Sequence, residues 1–165
     1  MSAAGEQVVD GGLAGLVPAG DLGRAGVIAG VKDSSGDAGF FARLMAASAD
    51  LEDFRVFIGG SAFLLGALAL GACGVIGALG NFAQHLDRQL MTTFAAGDIA
   101  SARRIQAEIV RANAVFFPFN PAAATKVVLS NLGICGEALF PPFVALEASQ
   151  KQGIVEAMPS FGIAP

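Results

Sequence analysis

Few side chains in this sequence are equipped for chemistry, and one stands apart. Lys32 follows the apolar run 27–31 in "VIAGVKDSSGD" (27–37) and precedes a small, polar, glycine-containing loop. Lysine is among the side chains least often buried. Desolvation or a neighbouring positive charge disfavours its charged form, and the neutral amine is a nucleophile. Such an amine adds to a ketone and loses water to give an iminium, an electron sink for making or breaking an adjacent carbon–carbon bond. The plainer reading is a strand-end lysine that reaches solvent or pairs with Asp33 or Asp37. Spacing alone favours that plainer reading.

The other candidates are thin. The chain has no tyrosine and no tryptophan, and its one histidine, His85, begins a helix without an acid or cysteine at catalytic spacing, so it reads as structural. Cys73 and Cys135 lie far apart in apolar contexts, with neither a C-x-x-C pair nor a metal-site pattern, and read as buried free thiols. Gly-x-Gly-x-x-Gly and Walker patterns are absent. No cofactor and no metal are therefore expected.

The elements around Lys32 follow from periodicity. A continuously apolar run such as 27–31 reads as a short strand covered on both faces, with Lys32 at its C-terminal end, where parallel α/β folds place ligand sites. A helix is expected over 38–51, a strand over 54–60 ending in a glycine pair, a helix over 61–71 with Ser61 as N-cap, and a strand over 73–81. Strands alternating with helices build a parallel sheet with right-handed crossovers.

After Asn81 the pattern is helical only. Leu86, Leu90 and Phe94 mark one helix, which Gly97 ends. Asp98 caps the next, with Ala102, Ile105, Ile109, Ala112 and Phe116 on one face and Pro118 as its stop. Asn120 and Pro121 start a third. "FPPFVAL" (140–146) must be extended, and a short helix covers 147–158. The chain divides into an N-terminal segment, 1–26, a βα portion carrying the lysine, 27–85, and C-terminal helices, 86–165. The N-terminal segment reads either as a helix and strand ending in a glycine-bracketed loop or as a loose lead-in to the first strand.

Composition narrows the function classes. With 165 residues, 54% hydrophobic and 15% charged, the chain can bury one sizeable core. A net charge of −4 leaves no basic field for a phosphate backbone, so nucleic acid is not an expected partner. The uncharged stretch 56–86 exceeds the roughly 20 residues that span a bilayer. Glycines break it into short pieces and its flanks carry both signs of charge, so no membrane span is expected. "MSAAGEQVVDGG" has no basic and then apolar leader pattern, and a cytoplasmic protein is expected.

"GVKDSSGD" (30–37), then "VFIGGSAFLLGALALGACGVIGALGNFAQHL" (56–86), then "AAGDIASARRIQAEI", "NPAAATKVVLSNLGI" and "PPFVAL" resemble, in one order, the second half of the dihydrodipicolinate synthase/N-acetylneuraminate lyase family of class I, pyruvate-type aldolases. The resemblance covers 27–147. It implies a partial TIM (β/α)8 barrel, strands six to eight, followed by a C-terminal helical tail. It makes Lys32, on the sixth strand, the Schiff-base lysine that condenses with pyruvate or another 2-oxo acid, without a cofactor. Ser34 matches a position contacting substrate beyond the ketone. Gly59 and Ile76 match positions at the ends of strands seven and eight that line the 2-oxo acid site. "KDSSGD" and "GSAFLLGALALGA" look more like the catabolic aldolases, such as 4-hydroxy-2-oxoglutarate aldolase, than the biosynthetic synthases.

The departures are as specific. A complete barrel of this type takes about 250 residues. The family's proton-shuttling tyrosine, from a Y-N-x-P-like segment, has no counterpart in a chain without tyrosine. "GLVPAGDLGR" (15–24) looks somewhat like the family's G-T-T-G-E-like carboxylate-binding loop, but with Asp21 and Leu22 where hydroxyl residues stand. An aspartate repels a carboxylate and leucine cannot donate to it. The other reading makes 1–26 the remnant of the helix before strand six. "ALFPPF" lacks the arginine that commonly precedes the tail's prolines. The expectation is a truncated lyase, weakly active or inactive alone. Its alternative is a non-catalytic half-barrel whose open sheet edges are covered in a homo-oligomer or by a partner chain. An integral membrane protein is third.

Overall fold

The computed structural model describes residues 16–164. The elements run α1 (Leu16–Arg24), β1 (Gly30–Asp33), α2 (Ala38–Ala47), β2 (Arg55–Ile58), α3 (Leu64–Ala69), β3 (Gly74–Val75), α4 (Gln84–Ala95), α5 (Ile99–Phe116), α6 (Pro121–Asn131) and α7 (Ala148–Ala157). The three strands form one parallel sheet in the order β1-β2-β3, each joined to the next through a helix.

Register decides which residues share a face. Val31 pairs with Val56 and Asp33 with Ile58, while Lys32 pairs with Phe57 and Phe57 with Gly74. Side chains alternate along a strand and paired positions project to the same side. Val56 and Ile58 are buried in one cluster with Phe40, Phe41 and Leu44 of α2 and Leu64 and Ala67 of α3. Lys32, Phe57 and Gly74 lie on the opposite face.

That arrangement corrects the expectation of a first strand covered on both sides. Along β1, Val31 is half-buried, Lys32 exposed and Asp33 buried, and Val27, ahead of the strand, is 65% exposed. The apolar run is long enough for two-sided cover, but α2 and α3 cover one face, and on the other Met91 of α4 reaches Gly74 while Lys32 stays exposed.

Local chemistry sets the helix ends. Asp37 caps α2 by accepting from the Phe40 N–H, Asp98 caps α5 by accepting from Ser101, and Asn120 caps α6, whose first residue is Pro121. Gly97, at φ +78°, ends the turn between α4 and α5, a conformation that favours glycine. Ala102, Ile105, Ile109, Ala112 and Phe116 form the buried stripe of α5, as their spacing predicts. The chain from 140 to 146 lies outside regular structure, and α7 follows it.

Three expectations are revised. Ser61 is not an N-cap: Ser61–Phe63 is a 3₁₀ turn ahead of α3, and the Ser61 hydroxyl donates to Asp87 instead. The third strand is only Gly74–Val75, because 78–81 winds into a second 3₁₀ turn. Cys73 is exposed and Cys135 half-buried, both as free thiols. Their apolar neighbours in sequence do not surround them in space, since Cys73 lies at the start of the edge strand.

Segment 15–24, compared above with a substrate loop, is helical over Leu16–Arg24, and Arg24 pairs with Asp50 at 3.1 Å. Residues 1–15, with the rest of the N-terminal expectations, lie outside the described residues. A ladder of edge-on rings, Phe82 to Phe116 at 5.1 Å and Phe116 to Phe161 at 5.5 Å, fastens the C-terminal turn to α5. His85 adds to that attachment: its Nε2–H donates to the Phe161 carbonyl at 3.0 Å. Among the described residues, no helix is long and apolar enough to cross a membrane.

Candidate functional site at the strand ends

The C-terminal ends of β1 and β2 are drawn tightly together. The Gly59 N–H donates to the Asp33 carbonyl at 2.6 Å, and a Cβ at Gly59 would collide with the Ser34 hydroxyl. At Gly77, after β3, a Cβ would lie 3.2 Å from the Gly59 carbonyl and 3.5 Å from Ser61 Oγ. The three loops that follow the strands are therefore stacked on glycine backbones. Glycine at position 59 is required by close approach and not by its dihedral angles.

Lys32 is exposed on the sheet face opposite α2 and α3, beside Phe57. It makes none of the ion pairs found among the described residues. Neither neighbouring aspartate holds it. Asp33 Oδ1 accepts from the Ser35 N–H at 2.8 Å, and Asp37 Oδ1 accepts from the Phe40 N–H at 2.9 Å. Solvent reaches Lys32, so the described residues do not supply the dry surroundings that a barrel interior would give an amine.

Ser34 and Gly59 come together on a cavity of about 220 Å³ that also takes in Asp33, Asp37, Ile58 and Phe63. Lys32 and Ile76 are outside its lining. Ile76 follows β3 at 51% exposure, and its N–H donates to the Ile58 carbonyl at 2.9 Å. The four residues singled out in the sequence thus gather at one end of the sheet, two on the cavity and two beyond it.

Two residues that the sequence reading passed over hold this end in place. Asp87, buried on α4, accepts from Ser61 Oγ through Oδ2 at 3.1 Å, while its Oδ1 has no partner. Burial pushes its carboxyl above the usual carboxylate range, against the smaller opposing pull of the Ser61 hydrogen bond and the His85 charge. Gln106, on α5, accepts from the Leu65 N–H at 2.7 Å and donates to the Ser61 and Ala62 carbonyls at 3.0 and 3.1 Å. Each is a polar residue beside an apolar stripe, next to Leu86 and Ile105 respectively. That adjacency is the signal from which either could have been found.

Among the described residues, no group of three or more His, Cys, Asp or Glu side chains could hold a metal ion. The family model of the Dihydrodipicolinate synthetase family matches residues 19–160. The 4-hydroxy-tetrahydrodipicolinate synthase of Hyphomonas neptunium is 31% identical over 142 residues, covering 86% of this chain and 48% of the relative. That of Nitrosospira multiformis is 34% identical over 137 residues, covering 82% and 45%.

A putative dihydrodipicolinate synthase from Thermus thermophilus superposes with a TM-score of 0.75 at 30% identity, over 90% of this chain and 52% of that one. YagE, a prophage protein of the dihydrodipicolinic acid synthase family from E. coli, crystallised in complex with pyruvate, shares the fold with a TM-score of 0.80 at 20% identity, over 90% and 51%. The chain spans about half the length of the curated relatives it matches. By that match and by its three-stranded parallel sheet, the chain belongs to the dihydrodipicolinate synthetase family.

Proposed function

We propose that this chain supplies the amine of a lyase that acts on pyruvate or another 2-oxo acid, with Lys32 as the Schiff-base residue and β1 to β3 as strands six to eight of a barrel. The observation that carries the reading is the placement of Lys32. It is the third of four residues in the first of three parallel strands, within the family-matched segment and on the face opposite α2 and α3, with both neighbouring carboxylates engaged elsewhere or turned away. The pyruvate complex of YagE supports the choice of 2-oxo acid.

In this reading the unprotonated Nζ of Lys32 attacks the ketone carbon. The carbonyl oxygen leaves as water after taking up protons, and the iminium accepts the electron pair of the adjacent carbon–carbon bond. Ser34 meets the substrate beyond the ketone, and Gly59 and Ile76 line the 2-oxo acid through backbone and apolar contact. The face around Lys32 becomes dry only when further strands cover it, from a second copy or from a partner chain. The same cover would protect the exposed sheet edges. The 165 residues contain no tyrosine. Proton shuttling must come from another group, and turnover by this chain alone is expected to be weak.

The test is incubation with pyruvate and borohydride, followed by peptide mass mapping. A reduced adduct at Lys32 that disappears in Lys32→Ala supports the reading. An unmodified chain, or an adduct spread over Lys126 and Lys151, refutes it and leaves a non-catalytic half-barrel.

A further inference from the structure

The loop that follows β2 is gripped at one residue by two helices that bring no group to the proposed chemistry. Ser61 is 2% exposed, and its hydroxyl donates to Asp87 of α4 at 3.1 Å. Its carbonyl accepts from Gln106 of α5 at 3.0 Å, and the same side chain holds the Ala62 carbonyl at 3.1 Å and the Leu65 N–H at 2.7 Å. None of these hydrogen bonds involves Lys32.

The Ser61 hydroxyl also reaches the end of β3. It lies 3.5 Å from where a Cβ at Gly77 would stand, and that Cβ would be 3.2 Å from the Gly59 carbonyl. Gly77 has φ −131°, a conformation open to any residue, so the space left by Ser61 and Gly59 is what favours glycine there. Ile76, one residue earlier, is tied to β2 through its N–H on the Ile58 carbonyl at 2.9 Å. The contacts that set the Gly59 and Ile76 backbones relative to each other therefore meet at Ser61.

We propose that Ser61 is a positioning residue of the lyase site: gripped by Asp87 and Gln106, it fixes the spacing of the Gly59 and Ile76 backbones and thereby the affinity for the 2-oxo acid. The inference rests on the Schiff-base reading of Lys32 and adds to it a role for α4 and α5. Being buried, Ser61 does not meet the substrate itself. Its loss should weaken binding far more than it slows addition of the bound ketone to the amine.

The experiment follows borohydride-trapped pyruvate on the 165-residue chain against pyruvate concentration. It reads the half-saturating concentration and the limiting rate of adduct formation at Lys32, at a temperature where circular dichroism shows each variant folded. Ser61→Ala should raise the half-saturating concentration about threefold or more, the loss expected for one buried hydrogen bond, with a far smaller change in limiting rate. Gly77→Ala, whose Cβ displaces the Gly59 carbonyl by a few tenths of an ångström, should raise it with the Ser61 hydroxyl intact. Asp87→Ala should behave as Ser61→Ala does, and Asp87→Asn, which keeps an acceptor for the hydroxyl, should rescue the affinity. A merely structural role predicts lowered melting temperatures with unchanged half-saturation, and that result overturns the proposal. Equal losses of affinity in Asp87→Asn and Asp87→Ala overturn it as well. If Ser61→Ala does not fold, unchanged half-saturation in Gly77→Ala overturns it. No adduct on the wild-type chain refutes the Schiff-base reading and this inference together, whereas a wild-type adduct with unshifted variants refutes this inference alone.

Discussion

Replacing Asp87 with asparagine should make this protein more stable at neutral pH, although the substitution touches a buried hydrogen bond. Asp87 is 6% exposed, Oδ2 accepts from Ser61 at 3.1 Å, and Oδ1 is buried without a partner. An asparagine carbonyl can still accept from Ser61, while the cost of holding a carboxylate away from water disappears. Leaving a buried acceptor unsatisfied costs about 1–3 kcal/mol, more when it is charged. The amide group that replaces Oδ1 is itself left unpaired, so a net gain of about 1–2 kcal/mol is expected.

The sign of the pH dependence follows from the raised carboxyl. A group whose pKa is higher in the folded than in the unfolded state contributes stability that is fully present below the unfolded value, near 3.8, and is lost as pH rises through the folded value. Wild type and Asp87→Asn should therefore match at the acid end and diverge above it, with the variant ahead at pH 7. In a chain of this size the gain corresponds to roughly 2–4 °C in Tm per kcal/mol. Urea denaturation at several pH values measures the difference directly. A variant less stable than wild type at pH 7, or a difference that does not change with pH, would refute the reasoning.

Two further substitutions probe how the strand ends are held. Gln106→Leu leaves the Leu65 N–H and the Ser61 and Ala62 carbonyls without their side-chain partner. It should cost about 1–3 kcal/mol in denaturant unfolding, with amide exchange rising first at 61–65. Gly59→Ala places a Cβ against the Ser34 hydroxyl and 2.7 Å from the Asp33 carbonyl oxygen. It should cost about 1–3 kcal/mol of stability and reduce borohydride-trapped pyruvate in the fraction that remains folded.

What the sequence made legible is what local physics decides. The α5 stripe and its Asp98 cap, and the Asn120–Pro121 start of α6, need only a 3.6-residue period and a side chain that reaches its own helix's N–H groups. The misses involve distant partners. Ser61 ahead of an alanine- and leucine-rich run is a good local cap, but Asp87, 26 positions later, takes its hydroxyl. Residues 27–31 are apolar enough for a strand covered twice, yet coverage depends on what lies on each side. Here Phe40, Phe41 and Leu44 cover one side of the sheet, and Lys32 and Phe57 face the other.

The same alternation separates two adjacent charged residues of opposite sign at the end of β1. Lys32 and Asp33 are adjacent in sequence, and the strand sends one to the open face and the other beneath the helices. A one-residue slip of β1 against β2 would exchange them, burying an amine among Phe40, Phe41 and Ile58 and exposing the carboxylate. That exchange is opposed at both ends of the pairing. Arg55 donates its N–H to the Ala29 carbonyl at 2.9 Å where the strands begin, and Gly59 donates to the Asp33 carbonyl at 2.6 Å where they end. A side chain at 59 would break the second contact first. The glycine therefore guards the register that decides which face receives Lys32 and which receives Asp33.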